Sequence, residues 1–350
     1  MMPQEEKKHK RRVHYSGKYP KKFEEKYKEH QPEKYQDMIE HVIRKGNTPA
    51  GMHLSIMVQE ILDFLQIQPG QTGFDATLGY GGHTKAMLAC FEGRGHIYAT
   101  DVDPEESAKT KKRLLEQGYG EEILTIKLQN FCTIDEIAKE AGGFDFVLAD
   151  LGVSSMQIDN PERGFSFKVE GPLDLRLNQK EGISAAERLD TITKEELAGM
   201  LYENSDEPYS EELAKAITDE IRRGNRMDTT KKLRDVIEKT LMFLPEKERK
   251  DTVKKTCQRV FQALRIDVNN EFEVLYEFME KLPECIKPGG RAAILTFHSG
   301  EDRLVKKALK SGYKAGIYSD YAKDVIRPSA KECAQNGRAR STKMRWAIKK

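Results

Sequence analysis

Thr72-Gly-Phe-Asp-Ala-Thr-Leu-Gly-Tyr-Gly-Gly-His83 joins a short apolar segment to a glycine-rich turn. Residues 72–76 predict a β-strand, and residues 83–90 predict the helix that follows it. Glycines between a strand and a helix let the backbone come close to a ligand at the helix N terminus. The full G-x-G-x-x-G pattern of dinucleotide enzymes is missing, so the turn predicts a ligand site and argues against a nicotinamide oxidoreductase.

Strand and helix patterns alternate on both sides of this turn. Before it, residues 56–65 carry apolar side chains at helical spacing, and Pro69-Gly70 ends that helix. After it, apolar runs predict five further strands, at residues 96–101, 124–128, 144–150, 291–297 and 344–348. The alternation predicts the α/β class, in which helices cover a mostly parallel sheet.

The strand pattern stops between residues 159 and 261, where charged amphipathic helices replace it. Thr193 with Glu196 three residues later is a capping box that predicts a helix start. We therefore predict an all-helical domain at residues 159–261, inserted into an α/β domain formed by residues 51–158 and 262–350. Residues 1–50 are predicted to be a basic N-terminal extension.

Composition excludes several classes of protein. The chain has 350 residues and 38% hydrophobic content, enough for a substantial core. Its cysteines are scattered without metal-ligand spacing, so we predict no metal site; they are Cys90, Cys132, Cys257, Cys285 and Cys333. No apolar run approaches the ~20 residues that cross a bilayer, and the N terminus is charged. These features predict a cytoplasmic protein without a membrane partner.

The net charge of +2 hides an uneven distribution. Residues 1–50 contain 13 Lys and Arg against 8 Asp and Glu, and residues 303–350 contain 14 against 3, so the middle is acidic. Basic ends favour a phosphate-rich partner, because lysine and arginine release the counterions condensed on phosphates. A solvated tail is the alternative that charge alone leaves open.

Two carboxylates close predicted strands at the edge where α/β sheets bind ligands. Asp101 ends the second strand and could accept hydrogen bonds from a ribose, while Asp103, before Pro104, is predicted to cap the next helix. Asp150 ends the fourth strand and is the best catalytic candidate. Residues 151–157 after it are predicted to form a small-residue turn rather than a helix.

Six motifs in order resemble one enzyme family. They are Asp75-Ala-Thr-Leu-Gly-Tyr-Gly-Gly-His, Asp150-Leu-Gly-Val-Ser-Ser, Arg163-Gly-Phe-Ser-Phe, Gly171-Pro-Leu-Asp-Leu-Arg, Val260-Phe-Gln-Ala-Leu-Arg-Ile-Asp-Val-Asn and Thr296-Phe-His-Ser. From about His53 to Arg345 the chain resembles the RsmH/MraW family, bacterial small-subunit (16S) ribosomal RNA cytosine-N4 methyltransferases. Gly300 stands where the family has leucine, and the N-terminal extension is additional, as in a divergent member or paralogue.

The resemblance implies a Rossmann-like, class I methyltransferase fold whose inserted helical domain recognises the substrate. It implies S-adenosylmethionine as cofactor, contacted at Gly81, Gly82, His83, Asp101, Phe131, Asp150 and Gln157. The methyl group would go to the N4 amine of a cytosine in the decoding region, with Asp150 accepting a hydrogen bond from that amine. The implied partner is small-subunit ribosomal RNA or the small ribosomal subunit, and a homodimer is left open.

Other side chains have two interpretations each. Phe165, Phe167 and Phe297 are candidates for stacking on a base or for core packing, and His298 could order the pocket or serve structure. Five arginines are predicted phosphate contacts: Arg163, Arg176, Arg265, Arg338 and Arg340. Trp346 is predicted to be a core residue on an edge strand. Two rival functions also stand, a methyltransferase of the same scaffold acting on another RNA site or biopolymer, and a non-enzymatic RNA-binding assembly factor.

Overall fold

A computed structural model describes residues 55–350 of the chain, in which seven strands form one sheet. The strands are β1 (Thr72–Asp75), β2 (His96–Asp101), β3 (Leu124–Leu128), β4 (Phe144–Asp150), β5 (Ile286–Thr296), β6 (Tyr318–Tyr321) and β7 (Lys343–Lys349). Their order in the sheet is β3-β2-β1-β4-β5-β7-β6. The strands β1 to β5 pair in parallel, whereas β7 is antiparallel to both β5 and β6.

Thirteen α-helices are described over the same residues. Those of the first half are α1 (Val58–Leu65), α2 (Gly82–Ala89), α3 (Pro104–Glu116), α4 (Ile134–Ala141), α5 (Ser155–Asp159), α6 (Ala185–Thr191) and α7 (Lys194–Ser205). Those of the second half are α8 (Ser210–Arg222), α9 (Thr230–Thr240), α10 (Glu246–Asn269), α11 (Glu271–Cys285), α12 (Ser299–Lys314) and α13 (Ala330–Gln335).

The sheet order confirms the predicted Rossmann-like α/β fold of a class I methyltransferase. Strand order reverses between β1 and β4, so a crevice opens beyond their carboxyl ends. Strands β2, β3 and β4 begin and end at the predicted residues. Strand β4 lies inside the sheet and is buried on both faces, which is why it reads as a nearly continuous apolar run, whereas β3 is an edge strand in which only Leu124 is buried.

Alternate side chains of β4 enter two different cores, as the two-residue period of a strand requires. Val147 and Ala149 pack on one face in a cluster with helix α11, and Phe146 and Leu148 pack on the other face in a cluster with α1 and α2. All four are fully buried. The packing of this central strand therefore fixes the position of its last residue, Asp150, at the carboxyl edge of the sheet.

Two strand predictions need correction at the far edge of the sheet. Strand β6 was not predicted, and it covers β7, so Trp346 does not lie on an edge strand. Trp346 is half-buried, and its ring lies 4.9 Å from the ring of Phe64. Strand β6 has only four residues, two of them exposed and polar, which leaves too short a pattern to recognise.

Residues 185–269 form five α-helices, α6 to α10, around a hydrophobic core of their own. The predicted capping box is confirmed, since Thr193 accepts a hydrogen bond from the Glu196 amide and Glu196 reaches back to the Thr193 amide. At the C terminus of α10, the Asn269 side chain bonds to the backbone of Leu175 and Leu177. The division into an inserted domain and an α/β domain stays a prediction.

Two predictions concern the N-terminal segment and the membrane. The predicted N-terminal extension, residues 1–50, lies outside the described residues. Within the described part of the chain, no helix is long and apolar enough to cross a membrane.

Candidate active site

The glycine-rich turn lies between β1 and α2, at the carboxyl edge of the sheet. Gly81 precedes α2 with φ at +76°, and a Cβ atom there would lie 2.8 Å from Cγ2 of Thr110. A positive φ and a close neighbour both favour glycine at this position. The first amides of α2 have no acceptor within the helix, so the turn presents hydrogen-bond donors to the crevice.

Asp101, at the end of β2, holds the turn in place. Its carboxylate accepts hydrogen bonds from the amides of Gly79 and Asp103, each at 2.8 Å. Burial raises the pKa of Asp101 to about 6, although these two hydrogen bonds oppose the shift. A carboxylate has about four lone-pair sites, so Asp101 keeps capacity to accept hydrogen bonds from a diol.

Asp103 is the cap of α3, as predicted, and it also has a second role that the sequence did not indicate. One carboxylate oxygen accepts the amides of Glu105 and Glu106. The other accepts Nη1 of Arg163 at 2.6 Å and Nε2 of Gln157 at 3.1 Å. Burial raises the pKa of Asp103, but Arg163 together with the hydrogen bonds from Glu106 and Gln157 outweighs burial and holds that pKa below its ordinary value.

Gln157 lies on a short helix, not in the predicted turn. Ser154 caps α5, and the side-chain oxygen of Gln157 accepts the Ser154 amide in a capping box. The side-chain NH₂ of Gln157 donates to Asp103. The prediction of a non-helical segment over residues 151–157 was wrong because a five-residue helix shows too little periodicity, whereas its Ser-x-x-Gln cap was a readable signal.

Asp150 and His83 meet at the centre of the crevice. Oδ2 of Asp150 lies 3.4 Å from Nδ1 of His83, and Oδ1 has no hydrogen-bond partner among the described residues. Nε2 of His83 lies 2.8 Å from the carbonyl oxygen of Ile56. A carbonyl can only accept, so Nε2 carries a proton, and Nδ1 is the ring nitrogen that faces Asp150.

The surroundings of Asp150 make it easier to protonate than an ordinary aspartate. Burial raises its pKa to about 6, the neighbouring carboxylates Asp75 and Glu301 add to the rise, and His83 opposes it. One quarter of the side-chain surface is still exposed. The site thus contains a proton acceptor that titrates near neutral pH and opens onto the crevice.

Phe131 follows β3, so it lies at the same edge of the sheet. Its ring meets that of Phe278 edge-on, with centroids 5.2 Å apart. The sheet therefore brings the predicted cofactor residues, which end or follow β1 to β4, to one edge. The contact of each residue with the cofactor stays a prediction.

Several predicted arginine roles change because the guanidinium groups are bound internally. Arg163 is buried against Asp103, and Arg265 forms two 2.8 Å hydrogen bonds to Glu271. Arg176 pairs with Asp174, and Arg338 pairs with Asp159. Of the five predicted phosphate contacts, only Arg340 is exposed.

The remaining candidates make contacts within the fold. Phe165 and Phe167 pack against the helical core, and Phe297 packs against the sheet. His298 caps α12, and its Nδ1 accepts the Glu301 amide. Glu271, His298 and Glu301 offer ligand atoms within 4.8 Å of one another, but Arg265 binds both Glu271 oxygens, so the described cluster is an ion-pair network.

Comparison with known proteins identifies the family. The model of the MraW methylase family matches residues 50–350. The chain belongs to this family. It is 83% identical to Ribosomal RNA small subunit methyltransferase H 1 of Agathobacter rectalis, covering 99% of both chains. It is 62% identical to Ribosomal RNA small subunit methyltransferase H 2 of Alkaliphilus metalliredigens, covering 99% of this chain and 100% of that one. A relative from Acidobacterium capsulatum is 36% identical and covers 85% of this chain and 98% of its own.

Membership of the MraW methylase family makes the chain a methyltransferase with S-adenosylmethionine as cofactor. The residues present fit that cofactor. Asp101 suits its ribose hydroxyls, the amides at the start of α2 suit its carboxylate, and Asp150, with a quarter of its side-chain surface exposed, ends β4 at the same edge of the sheet.

Proposed function

We propose that this protein transfers the methyl group of S-adenosylmethionine to the exocyclic N4 amine of a cytosine in the decoding region of small-subunit (16S) ribosomal RNA. The family and the names of its relatives support the reaction class and the RNA. Asp150 carries the argument for an amine target, because it is a partly exposed carboxylate beside the cofactor turn whose Oδ1 has no hydrogen-bond partner among the described residues.

The exocyclic amine of cytosine is a weak nucleophile, because its lone pair is delocalised into the ring. When bound, S-adenosylmethionine supplies an electrophilic methyl group. Asp150 accepts a hydrogen bond from N4, which raises the electron density on nitrogen as the N–C bond forms, and it takes the proton that N4 then releases. A pKa of about 6 lets Asp150 be ionised before the reaction and hold a proton after it.

His83 assists this proton transfer by its orientation. The Ile56 carbonyl holds a proton on Nε2 and orients the ring, so that Nδ1 lies 3.4 Å from Oδ2 of Asp150. After the transfer, Asp150 loses to solvent the proton that it has taken from N4. His83 is a positioning residue in this scheme, acting through Asp150.

The cytosine must leave its stack to reach Asp150, which costs least in a single-stranded or loop region. Phe297 lies beside Gly152, in the loop directly after Asp150, and is the best placed of the three candidate aromatics. We propose naked ribosomal RNA or the small subunit as the substrate and the cytoplasm as the location. The rival functions are the same chemistry at another RNA site and a non-enzymatic assembly role.

The test is mass spectrometry of nucleosides from small-subunit ribosomal RNA of a strain lacking the gene, its parent, and strains complemented with variants. We expect N4-methylcytidine to disappear in the deletion strain and to stay absent with Asp150→Asn. Asp145→Asn is the matched control, since Asp145 lies on the same strand at the end remote from the crevice. It should restore the modification.

Unchanged N4-methylcytidine in the deletion strain would overturn the proposal in favour of another site. Restoration by Asp150→Asn would leave the enzyme in place and overturn the role of Asp150. Loss of a different methylated nucleoside would identify the first rival function.

A further inference from the structure

Helix α12 presents four lysines that have no acidic partner. Lys306, Lys307, Lys310 and Lys314 are exposed, and no carboxylate of the described residues lies within 4.0 Å of their ammonium groups. The helix has two acidic residues of its own, and both are engaged elsewhere. Glu301 is buried against His298, and Asp302 pairs with Lys343 and Arg345.

These four lysines share one side of the helix. At 100° per residue they fall within an arc of about 100° and extend over about 12 Å along the axis. Val305 and Leu309, on the opposite side, are fully buried against the sheet. We call the four residues the lysine face.

The lysine face starts close to the active site. Strand β5 leads into α12, and Leu295 near its end pairs with Asp150. Glu301, in the first turn of α12, is one of the charges that act on Asp150. Lys306 lies five residues further, about 7 Å along the axis, so the face leads away from the crevice.

The neighbouring helix has the opposite charge. Exposed on α11 are Glu273, Glu277, Glu280 and Glu284. A polyanion is repelled from that helix and attracted to α12, so the path of a nucleic acid is confined to one side. Tyr313, with 41% of its surface exposed, lies at the edge of the lysine face and could stack on a base.

We propose that the lysine face binds backbone phosphates of the substrate RNA on one side of the target nucleotide. This inference rests on the proposed function, because it names where the same substrate lies outside the crevice. Lysine ammonium groups are point charges that bind phosphate without reading bases, so the face contributes affinity and direction rather than sequence choice. The lysine face thus supplies the phosphate contacts that were predicted for arginines whose guanidinium groups are paired with carboxylates within the fold.

The test is RNA binding by the full chain without cofactor, measured by fluorescence anisotropy across a salt series. The probe is a labelled stem-loop with the decoding-region sequence. The variant replaces the four lysines by glutamine, which has a similar helix propensity. The control makes the same four substitutions at exposed lysines of α10: Lys247, Lys250, Lys254 and Lys255.

Loss of four phosphate contacts should make the slope of log K against log[salt] shallower by about 3. Between 50 and 200 mM salt, the affinity of the variant should then change about 50-fold less than that of the wild type. The α10 control should keep the wild-type slope.

An unchanged slope in the α12 variant, or equal changes in both variants, would overturn the inference. Binding of the wild type to anionic phospholipid vesicles, with no binding to RNA, would overturn the choice of partner. Methylation of ribosomal RNA by the wild type is measured in parallel. If it occurs while the α12 variant binds normally, the proposed function stands and only this inference fails.

Discussion

Replacing Arg163 by methionine should destabilise the protein strongly, because it leaves a buried carboxylate without its charge partner. Arg163 and Asp103 have side chains 8% and 3% exposed, and their closest atoms are 2.6 Å apart. Arg163 also donates to the carbonyl oxygens of Arg176 and Leu177. Removing one member of such a pair costs about 3–5 kcal/mol in free energy of unfolding.

Thermal and urea denaturation measure this loss. A cost of that size corresponds to a fall in Tm of about 4–7 °C for a chain of this length. Arg226→Met is the matched control, because Arg226 pairs with Asp190 at 2.7 Å while half its side chain is exposed. Its cost should be below about 1 kcal/mol.

The double variant Asp103→Asn/Arg163→Met tests the coupling. Asparagine still caps a helix and carries no charge, so the double variant should be more stable than the sum of the single losses predicts. The pKa of Asp103 lies below its ordinary value of 3.8, so the pair stabilises the fold above that pH and loses its effect as the pH falls through the folded value. The difference in free energy of unfolding between the wild type and Arg163→Met should therefore become smaller at acidic pH. A cost under 1 kcal/mol for Arg163→Met, or additive losses, would refute the reasoning.

Three further predictions concern the crevice and the N terminus. The raised pKa of Asp150 means that its ionised form disfavours folding. Calorimetry should therefore show that Asp150→Asn raises Tm at pH 8 and changes it little below pH 4. The kcat/KM of the wild type should fall below about pH 6, where Asp150 becomes protonated. Gly81→Ala should weaken S-adenosylmethionine binding at least tenfold in isothermal titration, because alanine is strained at φ +76° and meets Thr110; normal affinity would contradict a role for the turn. Deleting residues 1–50 should weaken RNA binding and lessen its salt dependence, and an unchanged salt series would contradict a phosphate role for the extension.

Local sequence pattern was enough to place strands β2, β3 and β4 and the edge of the sheet where the candidate site lies. Strand β4 is buried on both faces, so its apolar run is visible in the sequence, and a parallel sheet must gather the carboxyl ends of its strands at one edge. For that reason Asp101, Asp150 and the glycine turn could be assigned to one site before any coordinates. The family resemblance added Phe131 and Gln157, which no pattern distinguishes.

Only the tertiary structure decided which polar groups bind each other. Arg163 and Asp103 are 60 residues apart in sequence, and nothing in their local patterns links them. The same holds for the orientation of His83 by the Ile56 carbonyl and for β6, which exists as a strand because β7 offers it an edge. Periodicity records which side of an element is buried, whereas the partner of a charged side chain depends on distant segments that folding brings together. The sequence therefore determined the sheet and its reactive edge, and the folded chain decided which charges are bound internally and which stay free for a substrate.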